Sequence, residues 1–326
     1  MRLIRGLYNI PSDFSGCVAT IGNFDGVHLG HQAILQQLKK QGEEHQLLTV
    51  VMMFEPQPRE FFAPDQAPAR LANMSEKLQD LASFGVDYVL CLPFNQKLRS
   101  MSADQFIQTI LLDGLKISHL IVGDDFRFGC DRTGDYQLLQ NAGKQFGFSV
   151  EDTKTFEFEG QRVSSTRVRK CLAANDLTGA GKLLGRSYRM SGRIGYGRQL
   201  GRTIGVPTAN VILQRNKLPM TGVYAVKAIE IEVADCHESE VLDASGQPRA
   251  WQGVANIGVK PTVAGTPEPS LEVHIFDFAN DLYGKRLSIE FCQKIREEKK
   301  FNGLDELKAA IEQDMNVARD FFLSKN

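Results

Sequence analysis

Two histidines three residues apart, His28 and His31, close a glycine-punctuated run, Gly22-Asn23-Phe24-Asp25-Gly26-Val27-His28-Leu29-Gly30-His31. At the start of a helix this spacing puts both imidazoles on one face, where they can hydrogen-bond a single anion. Glycines let backbone approach a ligand, and the first turn of a helix offers unpaired N–H groups and positive partial charge to a phosphate. The combination suits a phosphoryl centre that gains charge during in-line displacement. Spacing alone leaves two other readings open, a capped helix with incidental histidines and a metal site. The metal site lacks a Glu or Cys at ligand spacing, since only Asp25 is close.

A second glycine-rich stretch, Gly201-Arg202-Thr203-Ile204-Gly205-Val206-Pro207-Thr208-Ala209-Asn210, could bring backbone amides against phosphate. The Thr208 hydroxyl and the Asn210 amide oxygen are hard donors of the kind Mg²⁺ accepts. Without further context the stretch reads as a surface turn. Glu272 stands in a run, Leu271 to Phe278, where apolar and polar residues alternate; it is either a proton acceptor or a solvated carboxylate on a strand's polar face. Two familiar phosphate signatures are missing. Gly181-Lys182 lacks the upstream glycine and the following Ser or Thr of a P-loop, and Gly195-Tyr196-Gly197 does not continue into a dinucleotide fingerprint.

The elements that must position these residues fall into two halves. From Cys17 to Thr153, β-rich runs at Cys17–Ile21, Leu47–Phe54, Val86–Leu92, His119–Gly123 and Phe148–Val150 alternate with amphipathic stretches such as Ile34, Leu35 and Leu38, and Phe106, Ile107, Ile110 and Leu111. Ser102 to Gln105 spells a capping box. This alternation predicts a parallel sheet covered on both faces, with ligands at the strand C-terminal ends. A helical connector, Thr166–Leu184, follows. Short β-type runs come next: Tyr188–Tyr196, Gly222–Glu232, Trp251–Ile257, Leu271–Phe278 and Arg286–Cys292. They predict an antiparallel barrel or sandwich. Leu304, Leu307, Ile311, Met315, Ala318 and Phe322 form one stripe of a long closing helix.

Composition agrees with an ordinary two-domain chain of 326 residues. Thirty-eight Lys and Arg against 39 Asp and Glu leave a net charge of −1, which excludes wholesale wrapping of nucleic acid or an anionic membrane. The longest apolar run, Leu47–Phe54, is far short of the ~18 residues of a membrane span. The first residues are too polar for a signal peptide. Six scattered cysteines without a CxxC pair read as reduced thiols of a cytoplasmic protein.

The HxGH element within the longer GNFDGVHLGH string resembles the signature of HIGH-type nucleotidyltransferases, and the longer string resembles the FMN adenylyltransferase module of bacterial bifunctional riboflavin kinase/FAD synthetases. Val122 to Gly129 is similar to that family's flavin loop, and Arg162-Val163-Ser164-Ser165-Thr166-Arg167 to its second nucleotide signature. GRTIGVPTAN matches the riboflavin-kinase signature at every fixed position. The resemblance implies an α/β fold: a Rossmann-like nucleotidyltransferase domain over 1–185 and a kinase β-barrel with a closing helix over 186–326. It also implies roles. His28 and His31 would stabilise charge, while Gly22, Asn23, Phe24, Asp25, Gly30, Arg162, Ser165, Thr166 and Arg167 hold ATP. Asp125, Phe126 and Phe128 would hold the flavin. In the kinase, Glu272 would be the base, Gly201, Arg202, Gly205, Pro207 and Thr208 would hold ATP, and Thr208 and Asn210 would hold Mg²⁺. Riboflavin, FMN, FAD and ATP are the implied substrates and products, with no nucleic-acid or membrane partner and no oligomeric state specified.

Three alternatives differ in class. One half could have lost catalysis, leaving a single activity. A different adenylyltransferase, using a pantetheine or nicotinamide phosphate acceptor, would give the PTAN half no purpose. A non-enzymatic flavin-binding regulator could hold RNA on Arg186, Arg189, Arg193, Arg198 and Arg202, with Tyr188 and Tyr196 interleaved.

Overall fold

The computed structural model describes residues 1–196, 205–234, 237–243, 245–261 and 267–325. The chain forms two compact units, Met1–Pro68 with Lys77–Val163, and Ala69–Glu76 with Ser164–Asn326.

The first unit is built on six strands: β1 (Arg2–Arg5), β2 (Cys17–Ile21), β3 (Leu48–Glu55), β4 (Tyr88–Pro93), β5 (Ile117–Val122) and β6 (Ser149–Asp152). They lie in the order β1-β4-β3-β2-β5-β6, every pair parallel, and a separate antiparallel pair, β7 (Glu157–Phe158) with β8 (Gln161–Arg162), follows. The main helices of this part of the chain are α1 (Leu29–His45), α2 (Pro58–Phe62), α3 (Met74–Ser83), α4 (Gln96–Arg99), α5 (Ala103–Phe106) and α6 (Tyr136–Phe146). The predicted capping box is present: Ser102 accepts the Gln105 N–H, and the Gln105 side chain accepts the Ser102 N–H. All five residues of β2 are buried, and burial pushes the Cys17 thiol up to about 12, which keeps it inert.

The chain runs from β2 outward through β3 to β4, then crosses back to lay β5 on the other side of β2. That reversal makes the ends of β2 and β5 the switch point of the sheet, where a crevice opens beyond the strands. Strand β1 has no sequence signal; two apolar residues flanked by arginines become a strand only by pairing with β4, more than 80 residues away.

The second unit contains α7 (Ser165–Ala173) and α8 (Leu177–Leu184), so the predicted connector is two helices broken near Asn175. Among the described residues seven strands follow: β9 (Arg189–Gly195), β10 (Ala209–Ile212), β11 (Gly222–Ala234), β12 (His237–Glu240), β13 (Ala250–Pro261), β14 (Pro267–Ile275) and β15 (Arg286–Arg296). All pairings are antiparallel. The cycle β11-β13-β14-β10-β9-β15 closes through a β11–β15 pairing, so this is a six-stranded barrel rather than a sandwich, with β12 attached to β11. Strands β10 and β12, four residues each, carry no strand signal of their own in the sequence.

The final helix, α9 (Leu304–Leu323), packs Ala318 and Phe322 against Val223, Ala225, Val254 and Phe276. Its predicted stripe needs one correction. Leu304 is 63% exposed, whereas Asp314 is buried because its carboxylate takes a two-pronged bond from Arg296 of β15, at 2.7 and 2.8 Å. Residues Ala69–Glu76 belong to this barrel-containing unit through polar bonds. Glu76 accepts the N–H groups of Ser191 and Asn73 and the Arg215 guanidinium, and Tyr188 donates to the Leu71 carbonyl. No helix among the described residues is long and apolar enough to cross a membrane.

Candidate active sites

In the first unit the loop joining β2 to α1 holds Phe24, Gly26 and Val27 at positive φ, of 46, 85 and 40°. Such values are strained for a β-branched residue and persist only where the surroundings enforce them. Here Phe24 and Val27 are both buried. The loop delivers His28 as the N-cap of α1, its Nδ1 accepting the His31 N–H at 3.2 Å. That bond leaves the proton of a neutral His28 on Nε2. The two imidazoles are stacked, with centroids 3.7 Å apart and planes 14° from parallel, and Phe24 backs His31 at 4.9 Å. A Cβ on Gly30 would sit 3.3 Å from the His28 ring and 3.4 Å from the Val163 carbonyl, so a side chain there would crowd the pair.

Burial, then His28, then the buried Lys77 lower the His31 pKa well below its ordinary value. His31 is therefore a neutral ring at neutral pH, and its Nδ1 is buried without a hydrogen-bond partner. The structure thus brings His28, His31, Phe24 and Asp25 together beyond β2, with Gly22, Asn23 and Gly30 along the same segment.

On the other side of the switch point, the loop after β5 carries Asp125, Phe126 and Phe128. The two rings lie 5.6 Å apart and 16° from parallel. Phe128 is buried in the core while Phe126 is partly buried. Both line a cavity of about 490 Å³ that also has Phe54, Phe62, Phe94 and Phe106 in its walls and Arg59, Arg99, Arg127 and Arg132 around it. Neither the aromatic walls nor the arginines carry a signal in the sequence, because their contributors run from Phe54 to Arg132. Asp125 meets Arg162 at 3.5 Å, an exposed ion pair of little energetic weight. Ser164 caps α7 by accepting the Arg167 N–H at 3.2 Å, which places Ser165, Thr166 and Arg167 in the first turn of that helix, in the second unit.

In the barrel, Asn210 is the second residue of β10 and lies opposite Glu272 of β14; Asn256 of β13 faces Glu272 from the other side. The Glu272 carboxylate is ion-paired with Lys260. Two cavities share Thr208 as a wall. One, of about 270 Å³, includes Val206, Asn256, Glu272 and His274 and is closed by Leu307, Ile311 and Met315 of α9. The other, of about 350 Å³, includes Pro207, Ala209, Phe278 and Tyr283. Tyr283 stacks on the exposed Tyr196 at 4.2 Å. Gly205 is described, at φ 79°; Gly201 and Arg202 lie outside the described residues. Lys260, Tyr283 and the Arg296–Asp314 pair carry no signal in the sequence, where no motif or spacing links them.

A parallel α/β unit with paired histidines at its switch point is thus followed by a closed antiparallel barrel with a carboxylate-lined cleft. The FAD synthetase family model matches residues 10–167 and the riboflavin kinase family model residues 184–322. The bifunctional riboflavin kinase/FMN adenylyltransferase of Pseudomonas fluorescens is 53% identical over 98% of this chain and 97% of its own length. The Escherichia coli (strain K12) protein of that name is 50% identical over 99% and 98%. A solved structure from Streptococcus pneumoniae, described as a macrolide-efflux protein, superposes with a TM-score of 0.76 at 28% identity, covering 98% of this chain and 99% of that one. The chain belongs to the bifunctional riboflavin kinase/FMN adenylyltransferase family.

Proposed function

We infer that this chain converts riboflavin to FAD in two ATP-dependent steps: phosphorylation of riboflavin to FMN, and transfer of the AMP part of ATP to FMN with release of pyrophosphate. The observation that carries the inference is that both family models match in order over almost the whole chain. The division of labour proposed is adenylyl transfer by residues 1–185 and kinase activity by residues 186–326.

For adenylyl transfer, an FMN phosphate oxygen attacks the α-phosphorus of ATP and the bond to the β-phosphate bridging oxygen breaks. His28 donates from Nε2, and His31 acts as a neutral donor towards oxygens that gain charge, so its own stabilisation comes from a fixed dipole rather than from a cation. The stacked geometry supports this role by holding both rings before substrate arrives. Gly22, Asn23, Phe24, Asp25 and Gly30 are assigned to ATP along the same loop, and Arg162, Ser165, Thr166 and Arg167 to its phosphates, where guanidinium and first-turn N–H groups are apt donors. Phe126 and Phe128, with Asp125, are assigned to the isoalloxazine; the aromatic cavity supports that assignment.

For phosphorylation, Glu272 accepts the proton of the ribityl 5′-hydroxyl as that oxygen attacks the γ-phosphorus and ADP leaves. Riboflavin is assigned to the cavity under α9 that Glu272 lines, and ATP to the neighbouring cavity with Pro207 and Thr208, together with Gly201, Arg202 and Gly205. Thr208, common to both cavities, then stands where the γ-phosphate must cross. The Thr208 hydroxyl and Asn210 amide oxygen are neutral hard donors, a set that fits Mg²⁺ sharing its remaining positions with phosphate and water. When bound, Mg²⁺ neutralises phosphate charge. A cytoplasmic location completes the proposal, supported by free thiols at Cys17, Cys91, Cys130, Cys171 and Cys292.

The test is incubation of purified protein with riboflavin, ATP and Mg²⁺, with flavins separated by chromatography over time. FMN should appear first and FAD after it. FMN that never proceeds to FAD, or FAD formed only from supplied FMN, would reduce the protein to one activity.

A further inference from the structure

The β10–β14 ladder runs from Val211↔Leu271 through Asn210↔Glu272 to Ala209↔Val273 and stops. The next pair in register would set Thr208 against His274. At that point the chain has left the sheet, and the residue before Thr208 is Pro207, which has no N–H with which to continue a ladder. Its carbonyl is held instead by a side chain: His274 Nδ1 lies 2.8 Å from the Pro207 oxygen. A carbonyl only accepts, so Nδ1 carries a proton. Glu272 and His274 are two apart on β14 and share its polar face. One short strand therefore bears the carboxylate beside Asn210 and the tether of the turn that presents Thr208.

We propose that His274 is a positioning residue of the kinase centre, clamping the Pro207–Thr208 turn to the strand that carries Glu272, so that the spacing between phosphate-side and flavin-side groups is set by one element. The proposal rests on the assignment of Glu272 and Thr208 to phosphoryl transfer made above. Its chemical logic is that of in-line displacement, where a misplacement of about 1 Å costs on the order of a hundredfold in rate. The bond comes from a ring N–H rather than from charge, so the clamp works with a neutral imidazole.

The experiment compares His274→Asn, whose amide can reproduce an Nδ1–H donor, with His274→Gln, whose amide sits where Nε2 was, and with His274→Ala, all in the full chain. His274→Asn should keep kcat for riboflavin phosphorylation within about threefold of the parent. His274→Gln and His274→Ala should lower it about tenfold or more, with riboflavin KM little changed. Formation of FAD from supplied FMN should be unaffected in all three. Fluorescence of the single tryptophan, Trp251 on β13, reports whether each barrel is folded. Nitrogen-15 NMR of the ligand-free parent, with His274 assigned by its loss in the variants, should find the proton on Nδ1.

A ring protonated on Nε2 instead, equal rates for the Asn and Gln variants, or three folded variants all within about threefold of the parent would overturn the clamp. Glu272→Gln and Thr208→Ala, run in parallel, separate the two levels. If both lose kinase activity while the His274 variants keep it, the site stands and the clamp falls. If neither loses it, the site assignment fails and the clamp with it.

Discussion

Glu272 of β14 stands directly opposite Asn210 of β10, the last residue of the PTAN segment. Asn256 pairs with Glu272 in register from the other side, and Lys260 is the ion-pair partner of its carboxylate. A solvated glutamate on an outer strand face needs no such partner.

The first prediction follows. Glu272→Gln keeps the size and most of the contacts but removes the proton acceptor. Riboflavin phosphorylation should fall by about 10² to 10⁴, the usual worth of a positioned base. FAD formation from supplied FMN should stay within about twofold, a change too small to represent a lost catalytic interaction. Initial rates of each step, measured by flavin chromatography on one preparation, check both halves.

The complementary variant is His28→Ala. It removes an Nε2 donor, and it also removes the N-cap acceptor for the His31 N–H, so the effect on the site is both electrostatic and geometric. Loss of one donor aimed at developing charge costs about 10² to 10³ in rate, and FAD formation should fall at least that far. FMN should then accumulate from riboflavin at the parent rate. A variant that lost both steps while folded would contradict two separate centres.

His31 makes a pH prediction of definite sign. Burial, His28 and Lys77 lower its folded-state pKa, so between that value and the ordinary 6.5 the unfolded chain binds the proton that the folded one refuses. The stabilisation from this neutral ring is present above pH 6.5 and is lost as pH falls from there through the folded pKa. The ring should show no titration in proton NMR between pH 6.5 and 8. The adenylyl-transfer rate should likewise show no inflection from His31 in that window. A His31 resonance with its midpoint near 6.5 would refute the neutral-donor role.

Local signals were legible where the chemistry is encoded within a few residues. The HxGH loop, the Ser102 capping box and the alternation of Leu271 to Ile275 each depend on short-range backbone rules, and the corresponding elements lie within a few residues of their expected places. What could not be read depends on distant partners. Strand β1 exists because β4 accepts it, β10 because β9 and β14 flank it, and the buried Asp314 because Arg296 reaches it from β15. Each looks unremarkable or unfavourable in isolation: two arginines in a four-residue strand, a strand beginning after a proline, a carboxylate on the inner side of a helix. The cavity near Phe126 was half legible for the same reason. Its flavin loop is contiguous, whereas Phe54, Phe62 and Phe94 converge only through the fold of the sheet.

The last prediction concerns the segment Ala69–Glu76, which sequence order would assign to the first half. The Glu76 carboxylate and the Arg215 guanidinium are almost wholly buried, 3% and 0% exposed in their side chains, and Glu76 also accepts two backbone N–H groups. Breaking a buried pair by removing one partner leaves an uncompensated charge, at a cost of about 3 to 5 kcal/mol. Glu76→Ala should therefore lower the barrel's melting temperature, followed by Trp251 fluorescence, by on the order of 10 °C. Replacing both groups, as in Glu76→Leu with Arg215→Met, removes both buried charges and should recover part of that loss. The recovery is expected to be incomplete, because the Ser191 and Asn73 N–H groups lose their acceptor in either variant and each buried donor left unpaired costs about 1 to 3 kcal/mol. A double variant no more stable than the single one would mean that those backbone bonds, rather than the ion pair, hold the segment to the barrel.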